Sequence, residues 1–137
     1  MIQSDTIRQI LGNCRSVAVV GLSPKPHRDS FEVAHYLQAR GWRIIPINPN
    51  ADEILGEKAY PSLIEAAQHE PIELVNVFRN SADVPPIIDE AIAIGAKAVW
   101  LQLGIEHAAA TEKARAAGLQ VVQNRCLMID HAASESI

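Results

Sequence analysis

The segment VAVVGLSPKPHRDSFE, residues 17–32, decides the fold class. Its first four residues are apolar and are followed by Gly21, as a buried parallel strand is followed by a phosphate-binding turn. The dinucleotide-binding fingerprint would place further glycines at the third and sixth positions counted from Gly21, where this chain has Ser23 and Pro26. The segment therefore predicts a strand, a turn and a helix, with a loop rich in proline and basic residues in place of glycine.

Apolar runs alternate with helical patterns along the rest of the chain. Strands are predicted at residues 17–20, 43–48, 73–78, 97–103 and 119–124, and a very short edge strand at 58–62. Helices are predicted after Ser4 or Asp5, from Asp29 or Ser30 to about Gly41, from Ser62, from Asn80 or Ser81 to Gly95, and over 105–118. Pro85 and Pro86 fit the fourth helix only within its first turn.

This alternation predicts an α/β fold in one domain, residues 1–137. The expected architecture is a Rossmann-like, doubly wound, mainly parallel sheet of five long strands, with a short edge strand as a sixth candidate and helices on both faces. A chain of 137 residues is ordinary for a single domain.

Composition argues against several functional classes. The net charge is −4, so no overall field attracts nucleic acid or an anionic membrane. The sequence shows no signal peptide, and no apolar run approaches the roughly 20 residues that cross a bilayer. Two cysteines, Cys14 and Cys126, are too few for a disulfide framework. We therefore expect a cytoplasmic protein that binds neither nucleic acid nor membrane.

Ligands of doubly wound sheets bind beyond the carboxyl ends of the strands. Segments 21–30, 48–50, 78–80 and 102–104 follow predicted strand ends. From their position after the strands and their chemistry, the candidate site residues are Gly21, Ser23, Pro24, Lys25, Arg28, Ser30, Asn48, Pro49, Phe78, Arg79, Gln102, Leu103 and Gly104.

The first of these segments has the chemistry of an anion site. Gly21 permits close backbone approach, and Pro24 and Pro26 stiffen the loop while removing two N–H donors. Lys25, His27 and Arg28 supply cations instead, and Ser30 adds a hydroxyl beside the first amides of the next helix. The alternative is that these basic side chains are merely solvated loop residues.

The end of the second strand argues against a nicotinamide dinucleotide. Such sites place an acidic residue there to accept from the ribose 2′-hydroxyl, whereas this chain has Asn48 and Pro49. Catalytic patterns are scarce as well. His107 is interpreted as a capping or surface residue, Cys126 as a packing thiol, and Trp100 and Phe78 as core residues or walls for an adenine ring.

Five segments, residues 17–49, 53–63, 75–80, 89–105 and 124–131, resemble the small single-domain CoA-binding protein family. That family is related to the N-terminal CoA-binding domain of the succinyl-CoA synthetase α subunit. The resemblance covers almost the whole chain in order, and it implies a Rossmann-like fold that holds CoA or an acyl-CoA. Ser23, Pro24, Lys25, Asn48, Pro49 and the run Leu101-Gln102-Leu103 before Gly104 match the synthetase segments that contact CoA.

Two departures from the synthetase matter. Its loop is glycine-rich where this one reads Pro-Lys-Pro-His-Arg, and its phosphorylated histidine lies in a second domain, for which we expect no counterpart here. We therefore favour a module that binds CoA without a catalytic centre of its own. The alternatives are an NAD(P)-dependent reductase, an acyl-transfer enzyme working with a separate subunit, and a nucleotide-sensing regulator.

Overall fold

The computed structural model describes residues 2–135, which form strands and helices in alternation. In chain order these are α1 (Ile2–Asn13), β1 (Ser16–Val20), α2 (Asp29–Ala39), β2 (Arg43–Ile47), β3 (Glu53–Ile54), β4 (Glu57–Lys58), α3 (Leu63–Ala67), β5 (Leu74–Val77), a 3-10 turn (Ser81–Asp83), α4 (Val84–Ala93), β6 (Ala98–Leu101), α5 (Ala108–Ala116), β7 (Gln120–Val122) and α6 (Leu127–Glu135).

A five-stranded parallel sheet with the strand order β2-β1-β5-β6-β7 forms the centre of the molecule. The predicted α/β, doubly wound, Rossmann-like fold is thereby confirmed. The predicted edge strand is replaced by two features. Lys58 belongs to a small antiparallel β3–β4 hairpin, and Tyr60 forms a single parallel bridge with Ile47.

Alternate residues of the strands supply two apolar cores, one on each face of the sheet. Val17 and Val19 of β1 pack in the core under α1, α2 and α6, whereas Ala18 and Val20 pack in the core under α3, α4 and α5. Because both faces are covered, the strands are buried along nearly their whole length, as their continuous apolar sequences indicate.

The proline of the second strand lies where it does no harm to the sheet. β2 is an edge strand, and the Pro46 carbonyl accepts from Tyr60 N at 3.0 Å. The N and C=O of one residue point to the same side of a strand, so the position without an N–H faces away from β1.

Four predicted helix boundaries need correction. α1 begins at Ile2 instead of after Ser4 or Asp5. The N-cap of α2 is Arg28, so Asp29 and Ser30 are its first helical residues instead of its cap. The helix predicted from Asn80 or Ser81 begins as a 3-10 turn, and α4 follows it with its prolines in the first turn, as predicted. The predicted helix 105–118 is confined to Ala108–Ala116.

Other local predictions are confirmed. The Ser62 hydroxyl accepts from Glu65 N and caps α3, and His107 Nδ1 accepts from Ala110 N and caps α5. Helix α6 was not predicted.

Candidate functional site

The direction of strand order reverses between β1 and β5, and their carboxyl ends open a cleft. Gly21 N donates to the Ile47 carbonyl at 3.0 Å, and Phe78 N donates to the Val20 carbonyl at 2.9 Å, so three strand ends are fixed together. Gly21 has φ of +87°, and a Cβ there would lie 2.7 Å from the Phe78 carbonyl oxygen. Only glycine fits this close approach.

Three contiguous lobes make up the cleft. We call them the apolar lobe, of about 500 Å³, the basic lobe, of about 490 Å³, and the β6 lobe, of about 390 Å³. Gly21 and Ser23 line both the apolar and the basic lobe, Phe78 lines both the basic and the β6 lobe, and Arg79 lines both the apolar and the β6 lobe. One elongated ligand can therefore occupy all three.

The basic lobe is formed by the loop after β1 and the start of α2. Its basic residues are Lys25, His27 and Arg28. Ser23 N donates to the Ser30 hydroxyl at 3.0 Å, and Lys25 N donates to the Ser23 hydroxyl at 3.1 Å. Side-chain hydroxyls thus fix the loop, and the buried Ser30, which was expected to bind an anion, accepts from the loop backbone.

Two cationic side chains of the basic lobe, Lys25 and Arg28, take part in no ion pair within residues 2–135. Arg28 makes no side-chain capping bond to α2, so the first amides of this helix add donors at the same place. Asp29 is the one opposing carboxylate that lines this lobe.

The apolar lobe lies between β1, β2, α3 and α4. Its apolar lining residues are Val20, Ile47, Pro49, Pro61, Leu63 and Ile87, and Pro24 and Pro86 line it too. Glu90 of α4 accepts from Leu63 N at 3.0 Å and from Ile64 N at 3.3 Å, which holds the start of α3 against the lobe. Pro61, Leu63, Ile87 and Glu90 were not predicted as site residues, although the Ser62–Glu65 capping box predicts where α3 begins.

Asn48 stands where a dinucleotide-binding fold has its ribose-reading acid. Its Nδ2 donates to the Leu22 carbonyl at 2.9 Å, and its Oδ1 accepts from Asn50 N at 2.7 Å. The side-chain amide therefore ties the end of β2 to the loop after β1.

The β6 lobe is lined by the loops after β5 and β6. Gln102 is only 6% exposed, and its Oε1 accepts from Asn76 Nδ2 and from Leu127 N, both at 3.4 Å. Leu103 is 65% exposed, and Gly104 N donates to Asn124 Oδ1 at 2.7 Å. All three residues line the lobe. The predicted site residues are thus brought together except Leu101, which is fully buried in the core.

The sequence predicts two aromatic residues, Trp100 and Phe78, as core residues or ligand walls. Trp100 is fully buried, and its Nε1 donates to the Arg125 carbonyl at 2.9 Å, so it is a core residue. Phe78 is half-buried and lines two lobes of the cleft. Cys126 is half-buried and packs against the core under α1, α2 and α6.

Neither a metal centre nor a membrane span is found in the described part of the chain. Residues 2–135 bring no three histidine, cysteine, aspartate or glutamate side chains together in a metal-binding arrangement. None of the helices in that range has the length and apolar character needed to cross a bilayer.

Comparison with known proteins identifies the family. A family model described as a CoA binding domain matches residues 15–132. The chain belongs to this CoA-binding domain family. It is 38% identical to the uncharacterized protein YneT of Bacillus subtilis, over 94% of each chain. It is also similar to a hypothetical protein from Pyrococcus horikoshii, with a TM-score of 0.89, 39% identity and coverage of 95% of this chain and 90% of that one.

A larger enzyme contains a segment similar to this chain. The chain is 33% identical to the ADP-forming acetate–CoA ligase II of Archaeoglobus fulgidus over 85 residues. These residues make up 61% of this chain and 12% of the ligase. The chain is therefore homologous to a small part of that ligase.

Proposed function

We propose that this protein binds CoA or an acyl-CoA in the cleft and has no catalytic centre of its own. The observation that carries the proposal is the basic lobe, where Lys25 and Arg28 have no ion-pair partner among residues 2–135 and which adjoins two lobes of different polarity. A ligand that carries phosphates and has two dissimilar ends matches this arrangement.

The parts of CoA can be assigned to the lobes by their chemistry. The pyrophosphate and the 3′-phosphate lie at Lys25, Arg28 and the first amides of α2, because charge-assisted hydrogen bonds to phosphate are the strong ones. The adenine ring packs in the apolar lobe against Ile47, Pro49 and Ile87. The pantetheine arm then leaves over Phe78 into the β6 lobe.

Membership in the CoA-binding domain family supports this assignment over a nicotinamide dinucleotide. The side chain at the end of β2 supports it as well. Asn48 carries a neutral amide in place of the carboxylate that reads a ribose 2′-hydroxyl, and this amide already bonds to Leu22 and Asn50.

Calorimetric titration with CoA, NAD, NADP and adenosine tests the proposal. We expect CoA to bind at least tenfold more tightly than the other three ligands. Lys25→Ala combined with Arg28→Ala should weaken CoA binding by roughly 10- to 100-fold, because each side chain makes hydrogen bonds to charged groups. Adenosine binding should change by less than about twofold, because adenosine carries no phosphate.

The matched control is Arg8→Ala combined with Arg115→Ala, which removes the same charge from α1 and α5, outside the residues that line the three lobes. This control should leave CoA binding unchanged. Tighter binding of NAD or NADP than of CoA, or equal losses in both double variants, would refute the proposal.

A further inference from the structure

The orientation of the Gln102 side chain is determined by a chain of hydrogen bonds. The Trp100 carbonyl is an acceptor, and Asn76 lies 3.2 Å from it, so the atom of Asn76 that faces this carbonyl is the amide nitrogen Nδ2. The same nitrogen donates to Gln102, and Leu127 N donates to the same atom of Gln102. Two N–H donors converge there, so that atom is the oxygen Oε1.

The amide nitrogen of Gln102 consequently points the other way. Within residues 2–135, Asn76 Oδ1 is the side-chain polar atom that is completely buried without a hydrogen-bond partner. Gln102 Nε2 has no acceptor in that range either, yet it is not completely buried, and Gln102 lines the β6 lobe. A side chain more than nine-tenths buried thus presents an unused N–H₂ donor to the lobe.

Such a donor favours a ligand that places an acceptor oxygen in the β6 lobe. Burial of an unpaired amide donor costs free energy, and an incoming carbonyl oxygen removes that cost. A free thiol at the end of the pantetheine arm cannot do so, since sulfur is a weak acceptor. The amide carbonyls of the arm are acceptors too, but CoA and its thioesters share them. Only the thioester carbonyl can therefore make Gln102 distinguish an acyl-CoA from free CoA.

We propose that Gln102 is a specificity-determining residue whose Nε2 donates to the thioester carbonyl oxygen of an acyl-CoA, so that the protein prefers acyl-CoA over free CoA. This inference rests on the proposed binding of CoA in the cleft. Its new content is the substrate class and the residue that selects it.

The first test compares ligands and needs no variant. Acetyl-CoA and S-ethyl-CoA have similar size and shape, but only acetyl-CoA has a carbonyl oxygen. Calorimetric titration of the intact protein should show acetyl-CoA binding about fivefold more tightly than S-ethyl-CoA, the range of one neutral hydrogen bond. Equal affinities, with CoA itself bound, would overturn the inference and leave the proposed function intact. Failure of all three ligands to bind would refute the proposed function, and the inference with it.

The second test removes the donor. Gln102→Met keeps the length of the side chain and loses the N–H₂ donor, so the fivefold preference for acetyl-CoA over S-ethyl-CoA should disappear. The variant also loses the Oε1 that accepts from Asn76 and Leu127, and that loss acts on all three ligands alike. Gln68→Met, on a glutamine outside the three lobes, is the matched control and should change none of the three affinities. Equal weakening of all three ligands by Gln102→Met would overturn the inference, since Gln102 would then only support the loop. If Gln102→Met does not fold, the comparison of acetyl-CoA with S-ethyl-CoA in the wild type decides.

Discussion

The two ends of the central sheet differ in whether their charged side chains have partners. At the amino ends of the strands, the Glu73 carboxylate accepts from Arg15 N at 2.7 Å, from Ser16 N at 3.0 Å and from Lys97 Nζ at 3.2 Å. At the carboxyl ends, Lys25 and Arg28 are without an ion-pair partner among residues 2–135. The paired charges at the amino ends serve folding. At the carboxyl ends Arg79 pairs with Asp83 at 3.3 Å, whereas Lys25 and Arg28 remain available for a ligand.

At the carboxyl ends of the strands, the unpaired cations lie beside a tightly fixed backbone. Gly21→Ala should perturb that backbone, and we expect it to have the largest effect on stability. A Cβ at Gly21 would meet the Phe78 carbonyl oxygen at 2.7 Å, at φ of +87°. We expect the free energy of unfolding to fall by about 2–4 kcal/mol, from strain at a positive φ together with the displaced backbone. Denaturant unfolding measures the change.

Gly104→Ala is the matched control. Gly104 has nearly the same φ, +88°, but a Cβ there would have no neighbour within 4 Å. Its cost should be about 1 kcal/mol, from backbone strain alone. Equal losses at the two glycines would mean that the contact with Phe78 is unimportant.

The amino end should respond to Glu73→Gln in stability and not in binding. We expect about 1–2 kcal/mol less free energy of unfolding at neutral pH, because hydrogen bonds to a charged acceptor become weaker bonds to a neutral one. CoA affinity should be unchanged, since Glu73 lies at the far end of the strands from the cleft. Glu112→Gln, on the exposed surface of α5, is the control and should change neither quantity.

The pH dependence of Glu73→Gln follows from the same contacts. Hydrogen bonds, first of all from the Arg15 backbone amide, lower the pKa of Glu73 below its ordinary value of 4.5. Its contribution is therefore complete above pH 4.5 and is lost as the pH falls through the lower folded pKa. The difference in stability between wild type and Glu73→Gln should shrink as the pH falls below 4.5. A difference that stays constant would show that Glu73 acts by packing.

The sequence was sufficient for the sheet and for most of the helices, because buried parallel strands and helix caps leave local patterns. Helix α6 leaves a weaker one. Its first residues, Leu127, Met128 and Ile129, are a continuous apolar run without helical spacing. The Cys126 carbonyl accepts from Asp130 N in the first helical hydrogen bond, so the residue before the helix is a cysteine instead of one of the usual capping residues. The helix is fixed by the Arg125–Asp130 pair and by packing on α1 and α2.

The candidate site was predictable where it consists of strand ends and not where it depends on packing. Leu101 and Gln102 are neighbours in the chain, but only Gln102 lines the β6 lobe. Successive residues of an extended chain face opposite sides of the sheet, and Leu101 faces the core under α3, α4 and α5. Pro61 and Leu63 form a wall of the apolar lobe because two hydrogen bonds hold the segment before α3 beside β2. Tyr60 N donates to the Pro46 carbonyl, and Asn48 N donates to the Tyr60 carbonyl. These contacts join distant parts of the chain, and no local sequence pattern predicts them.

The smallest expected effect concerns Asp29, whose carboxylate has opposite effects on stability and on phosphate binding. Asp29 lies in the first turn of α2, where a carboxylate stabilises the helix, and it also lines the basic and β6 lobes, where it repels phosphate. Asp29→Asn should lower the free energy of unfolding by about 0.3–1 kcal/mol. It should raise CoA affinity by about threefold at low salt, the Coulomb effect of one charge several ångströms away in a largely aqueous setting.

Glu32→Gln separates the two effects of Asp29, because Glu32 lies in the same first turn of α2 but lines none of the three lobes. It should show a similar loss of stability with unchanged CoA affinity. The gain from Asp29→Asn should also fade at high salt, as screening removes the repulsion. Weaker CoA binding by Asp29→Asn would mean that this carboxylate accepts a hydrogen bond from the ligand. The carboxyl end would then recognise its ligand with a negative charge as well as with positive ones.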